Sequence, residues 1–196
     1  MRGSGSRGGA VGSLSRTLTA AAVAIAASGI GARAQDWALA VSGFAVAPPA
    51  GYVAQPGAPA SPSRLAISLT KPAEPGTGCE LSFEALPGFE QFTQDALNRQ
   101  TDRPGWEQFY REGLGEYYEV RSVDRFDHAG VRGAIVFGIS RSRPAVADWK
   151  AELPTLIFLF YTPKGLSKAA CFAEKDAFEA RRSEFEAIAR GMTLPR

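Results

Sequence analysis

The chain predicts an α+β fold in which one largely antiparallel sheet is covered by an internal helix and a C-terminal helix. Three observations predict it. Short runs with period-two alternation recur from Leu65 onward, separated by Gly- and Pro-containing turns. One run, Leu156-Ile157-Phe158-Leu159-Phe160-Tyr161, is apolar on both faces, as a central strand covered on both sides must be. Helical spacing is found after Pro87-Gly88 and again after Asp176, so helices interrupt and end the strands instead of alternating with them.

In chain order, residues 1–34 have the pattern of a cleavable export signal. Arg2, Arg7 and Arg16 form a positive leader, Leu18 to Ile30 is a small-residue apolar run, and Ala32-Arg33-Ala34 is an A-x-A site, which places cleavage between Ala34 and Gln35. A membrane span needs about 20 mainly apolar residues. The stretch from Thr17 to Ala32 is shorter and is interrupted by Ser28, Gly29 and Gly31, so the expectation is a periplasmic or secreted protein with no stable membrane span after cleavage. The leader also accounts for the positive charge of the chain. The 196 residues carry 22 Lys and Arg against 20 Asp and Glu, and the leader holds four Arg and no acid. The remainder of the chain carries 18 basic and 20 acidic residues, a mildly acidic balance without the basic patch a nucleic-acid partner requires.

Residues 35–63 are rich in Ala, Pro and Gly and read as an extended entry able to add a short edge strand through Phe44, Val46 and Tyr52. Residues 64–196 then form a single α+β domain. Leu65, Ile67 and Leu69 share one strand face, and Glu74-Pro75-Gly76-Thr77-Gly78 turns into a second strand in which Cys79, Leu81, Phe83 and Ala85 share a face. Phe89, Phe92, Ala96 and Leu97 place a helix from Phe89 to about Arg99, with Asp102, Pro104 and Gly105 as its exit. Tyr117 to Phe126 and Val131 to Arg141 are strands joined by an Asp127-His128-Ala129-Gly130 hairpin turn, where His128 is expected to be exposed. Pro163-Lys164-Gly165 turns the central strand into the one holding Cys171. The last helix has Asp176 as its expected N-cap with Glu179 completing a capping box, an apolar stripe of Phe178, Phe185, Ile188, Ala189 and Met192, and a stop at Gly191.

This order resembles the PsbP-like superfamily of αβα sandwiches. The matching features are Pro49-Ala50-Gly51-Tyr52 after a short first strand, the central helix from Phe89, and the final helix running to Ala189-Arg190-Gly191-Met192-Thr193-Leu194-Pro195. The superfamily includes thylakoid-lumen photosystem II extrinsic subunits and many exported bacterial proteins of unknown role. The resemblance implies the fold and transfers no functional residue.

Chemistry-bearing patterns are few. In an oxidising compartment Cys79 and Cys171 are expected to form a disulfide; two buried free thiols or a reactive pair are the alternatives, the last without a C-x-x-C to lower a thiol pKa. One histidine and no ligand spacing leave no metal site to name, and no cofactor fingerprint exists, since Gly76-Thr77-Gly78 lacks the third glycine and the helix. No catalytic constellation emerges, and enzyme status is left uncertain, with a non-enzyme favoured. The candidate ligand-binding residues are Arg141, Arg143, Trp149 and Lys150, where guanidinium forks and an indole face could clamp a carboxylate or a flat group. The function expected is a non-catalytic exported binding or accessory domain, a subunit or scaffold of an envelope complex, with an envelope protein or small anionic ligand as partner. The alternative is a small hydrolase using the paired carboxylates Glu80 and Glu84, which share a strand face with Ser82.

Overall fold

The structure, a computed structural model, describes residues 37–39 by their backbone and residues 43–57, 64–141 and 152–196 in full. Among these are ten strands and three α-helices. The strands are β1 (Trp37–Leu39), β2 (Phe44–Val46), β3 (Val53–Pro56), β4 (Arg64–Thr70), β5 (Gly78–Ala85), β6 (Tyr118–His128), β7 (Val131–Ser140), β8 (Pro154–Thr162), β9 (Gly165–Phe172) and β10 (Met192–Thr193). The helices are α1 (Gln94–Asn98), α2 (Trp106–Gly115) and α3 (Lys175–Arg190). Seven strands form one antiparallel sheet in the order β3-β4-β5-β9-β8-β7-β6, and β1, β2 and β10 form a small second sheet.

The two residue sets of β8 explain the layers. Leu156, Phe158 and Phe160 point into a large cluster with Phe178, Phe185, Ile188 and Ala189 of α3, to which β2 adds Phe44 and Val46. Ile157 and Leu159 point the other way, into a smaller cluster with Tyr110 of α2, Val123, Ala134 and Val136. Every residue of β8 except Tyr161 is buried, so the two-sided apolar run is a strand with a core on each side. Cys79 and Cys171 are direct partners in the β5–β9 register and are disulfide-bonded, both shielded from solvent beneath α3.

Four local expectations differ from the structure. The helix expected from Phe89 to Arg99 is broken: a 3-10 turn covers Phe89–Gln91, α1 restarts where the Thr93 hydroxyl accepts from the Ala96 N–H at 3.2 Å, and a second 3-10 turn covers Arg99–Asp102. The exit at Pro104-Gly105 is the entrance to α2, since Gly105 takes a left-handed conformation at the N-cap. The last helix begins earlier than expected, with Glu174 in place of Asp176 at its N-cap and no side-chain cap; Asp176 lies in the first turn, where it meets the positive end of the helix dipole. His128 is not an exposed turn residue: it ends β6, packs edge-on to Phe160, and its Nε2–H donates to the Met192 carbonyl at 2.7 Å, tying β6 to β10.

Glycine matters here for two different reasons. The β6–β7 turn has φ of 50° at Ala129 and 76° at Gly130, the double left-handed conformation that a two-residue hairpin loop requires. Gly191 has an ordinary φ of −80°, but a Cβ there would sit 2.7 Å from the Ala47 carbonyl, so only glycine lets α3 end against the small sheet.

One polar cluster fastens α3 to the β4–β5 turn. The Glu184 carboxylate accepts from Tyr52 Oη at 3.0 Å, from Lys71 Nζ at 2.9 Å and from Arg181 Nη1 at 2.8 Å, while Arg181 also forks onto Glu74. Burial alone would raise the Glu184 pKa, but the hydrogen bonds from Lys71, Tyr52 and Arg181 outweigh it and hold the group below the usual carboxylate value.

Three outcomes test these arguments. Reducing the disulfide, or replacing both cysteines by alanine, should lower the unfolding free energy by about 2–5 kcal/mol in a denaturant titration, because the bridge closes a long loop; an unchanged midpoint contradicts it. Ala129→Asn should stabilise by about 1 kcal/mol, raising Tm by about 2–4 °C, because alanine is disfavoured at positive φ and asparagine tolerates it. Glu184 is ionised more readily in the folded than in the unfolded chain, so its contribution is complete above pH 4.5 and is lost as pH falls below that value. Glu184→Gln should therefore flatten part of the acid limb of a Tm-against-pH curve.

Candidate functional site

The two faces of the large sheet are finished differently. The α3 face carries one continuous apolar cluster. On the opposite face the apolar cluster reaches Ala170 and Leu166 of β9, with Lys168 between them, and beyond it the outward rows of β5 and β4 are mostly polar, with Glu80, Ser82, Glu84 and Arg64. The boundary between the two zones lies beside α2.

Helix α2 has Trp106, Phe109, Tyr110 and Leu114 at i, i+3, i+4 and i+8, the spacing of one helix face. Tyr110 is buried against the sheet, with Trp106 and Leu114 packed around the same cluster. Phe109 touches Tyr110 edge-on at 5.3 Å yet is 61% exposed. Tyr117 (48%) and Phe92 (42%) are also exposed, so large aromatic residues outcrop along one side of the molecule.

The segment leading to α2 is fastened to the sheet by polar contacts rather than by a deep core. Asn98 accepts from the Arg132 N–H at 2.9 Å and donates to the Gly130 carbonyl at 3.0 Å. The Arg132 guanidinium contacts both oxygens of Asp102, at 2.7 and 2.8 Å, and Arg125 donates to the Thr101 carbonyl at 2.7 Å. Phe89 stacks on Tyr161 at 5.8 Å. Two neighbouring cavities lie along this side of the sheet. One, of about 320 Å³, lies between Phe89, Leu97, Trp106 and Tyr161. The other, of about 280 Å³, lies between Leu114, Tyr117, Tyr118 and Leu166 and ends at Arg64 and Lys168. Phe109, Tyr110 and Tyr161 border both.

The electrostatics divide along the same line. Burial pushes the Tyr118 phenol up to about 12 and raises those of Tyr110 and Tyr161, so the aromatic walls stay neutral. Lys168 is half-buried; burial first, and then the Arg64 charge, pull its pKa down, while Glu80 and Glu84 pull it back up. Arg64 lies 3.5 Å from one Glu84 oxygen through Nη2, and its Nε is buried with no hydrogen-bond partner.

Of the residues singled out in the sequence, Arg141 is exposed at the end of β7, and its backbone N–H donates to the Tyr117 carbonyl at 2.9 Å, which places it beside the aromatic outcrop. Arg143, Trp149 and Lys150 lie outside the described residues. Glu80 and Glu84 do share the outer face of β5, Glu80 exposed and Glu84 beside Arg64, with Ser82 buried between them. Among the described residues no group of three or more His, Cys, Asp or Glu side chains could hold a metal ion. The residues that sequence reasoning missed are Phe109, Leu114 and the Arg64–Lys168 pair. The helical spacing of Phe109 and Leu114 from Trp106 was a usable signal; the cation pair had none, because it depends on strand order.

No protein-family model matches the chain, and no curated protein matches it. Among solved structures, the solution structure of cyanobacterial PsbP (CyanoP) from Synechocystis sp. PCC 6803 is similar, with a TM-score of 0.54 and 14% sequence identity over 85% of this chain and 95% of that one. The described strand order, with its large antiparallel sheet and three helices, is therefore a PsbP-like fold.

Proposed function

We propose that the protein is an exported, non-catalytic binding or accessory domain, a subunit or scaffold of an envelope complex, and that it engages its partner through the aromatic side of α2. The observation that carries this is the exposure of Phe109 and Tyr117 at two preformed cavities, with Phe92 exposed beside Phe89, which lines the first. Clustered exposed aromatic residues on a fixed scaffold supply contact area at little conformational cost, which is how binding surfaces are built. A shielded disulfide supports an oxidising compartment for the mature chain. Among the described residues no helix is long and apolar enough to cross a membrane. The PsbP-like fold supports the accessory role, and the alternative of a Glu80–Glu84 hydrolase has no observation among the described residues in its favour.

The test has two parts. Expressed with its leader, the protein should be recovered oxidised and beginning at Gln35; recovery in the cytoplasm with residues 1–34 attached overturns the export reading. A photo-crosslinking residue in place of Phe109 should give a discrete adduct in the native envelope that is lost on Tyr117→Ser. The same residue in place of Glu179, on the far side of α3, should give none. Equal labelling from both positions overturns the docking face.

A further inference from the structure

Among the described residues, the Arg64–Lys168 end of the cavity beside α2 has donors without acceptors. No hydrogen bond or ion pair within 4 Å joins the Lys168 ammonium to any described residue, although the side chain is half-buried. Arg64 places its Nε out of solvent and unpaired, and meets Glu84 through Nη2 alone, at 3.5 Å. The register explains why the two cations meet here. Lys168 stands opposite Ser82 of β5, and Arg64 stands opposite Glu84, so the two lie diagonally across β5 on one face. Glu80 and Glu84 balance the pair in total charge, but neither carboxylate reaches the ammonium. A partly desolvated cation with no contact partner is costly, and an anion entering the cavity removes that cost.

The rest of the cavity fixes what must be attached to that anion. Tyr110, Leu114, Tyr118 and Leu166 give a flat, mostly apolar wall, and about 280 Å³ accommodates a body of two fused rings, not a polymer. We propose that this cavity is a binding site for a small aromatic carboxylate, its anion between Lys168 and Arg64 and its ring system against Tyr118 and Leu166. The inference deepens the binding role of the α2 side by giving it a ligand class; Phe109 and Tyr117 border the same cavity. It assigns no role to Arg143, Trp149 or Lys150.

The probe is 2-naphthoate, with 2-naphthamide as its neutral counterpart of the same shape, titrated by calorimetry into the oxidised protein. Naphthoate should bind at least tenfold more tightly than naphthamide, because a charge-assisted hydrogen bond contributes about 1.5–3 kcal/mol. Lys168→Met and Arg64→Met should each abolish that discrimination while leaving Tm within a few degrees, since both side chains end at the surface of a complete sheet. Leu166→Ser should weaken acid and amide together. Equal affinity for the two probes, no binding of either, or full discrimination in Lys168→Met overturns the proposal. Crosslinking from position 109 in native envelope is read separately, so failure of the acid overturns the ligand class and leaves the docking face to its own test.

Discussion

The pairing of β5 with β9 is the contact on which the rest of this molecule depends. It joins the early hairpin of β4 and β5, with β3 at the edge, to the later meander of β6 through β9, and so makes one seven-stranded sheet from two segments distant in sequence. Ordering two such segments against each other is the expensive step for an antiparallel sheet, because loop closure precedes any return in contacts. The Cys79–Cys171 bridge falls on this pair of strands, at directly opposed positions 92 residues apart. It therefore constrains the unfolded chain at the most distant pairing within the seven-stranded sheet, and it does so within the apolar layer, where solvent thiols cannot reach it without opening the core.

Each face of that sheet has its own solution to the same problem. Beneath α3 the answer is packing: long apolar side chains from β4, β5 and β8, with the small Ala169 and Cys171 of β9 between them, meet Phe178, Phe185 and Ile188, and the small sheet closes the end with Phe44 stacked 6.1 Å from Phe83. On the α2 side the helix is ten residues long and contains Gly113 and Gly115, so it covers the region of β6 to β8 and leaves β4 and β5 to polar residues. The strip between covered and polar zones is where aromatic walls and cations coexist. The ties of Asn98, Asp102 and Arg125 fasten the segment beside that strip, and Phe109 and Tyr117 remain exposed along it.

Much of this was legible in the sequence, for physical reasons that can be named. Period-two alternation reports which face a side chain takes, so Ile67, Leu69, Leu81 and Phe83 identify themselves as core residues, and Leu156 to Tyr161 as a strand with no wet face. The apolar stripe of α3 reads equally well. Alternation carries no information on which strands are neighbours, and so the Arg64–Lys168 juxtaposition is invisible until β5 lies between β4 and β9. The start of α2 hides behind Pro104-Gly105, which has the composition of a turn and serves as one before the helix begins. His128 was misplaced for a similar reason: its turn-like neighbours say nothing of β10, more than 60 residues away, whose carbonyl at Met192 claims it.

The disulfide and the candidate site are consequences of one register. On β5, Cys79 and Glu80 are adjacent and point to opposite faces; on β9, Lys168 and Cys171 are three residues apart and also point to opposite faces. A slip of one residue in this pairing would turn one strand over relative to the other, placing either Glu80 or Lys168 in the apolar layer and the sulfur of that strand on the opposite face. The covalent bond excludes that slip. It thereby fixes the diagonal that brings Arg64 and Lys168 to the same end of the cavity, with the small side chain of Ser82 between them leaving the space open. Oxidation therefore both stabilises the domain and reinforces the register that sets the geometry of its polar face. For a domain whose proposed work is to bind, the redox state of two cysteines on the far side of the sheet is part of the site.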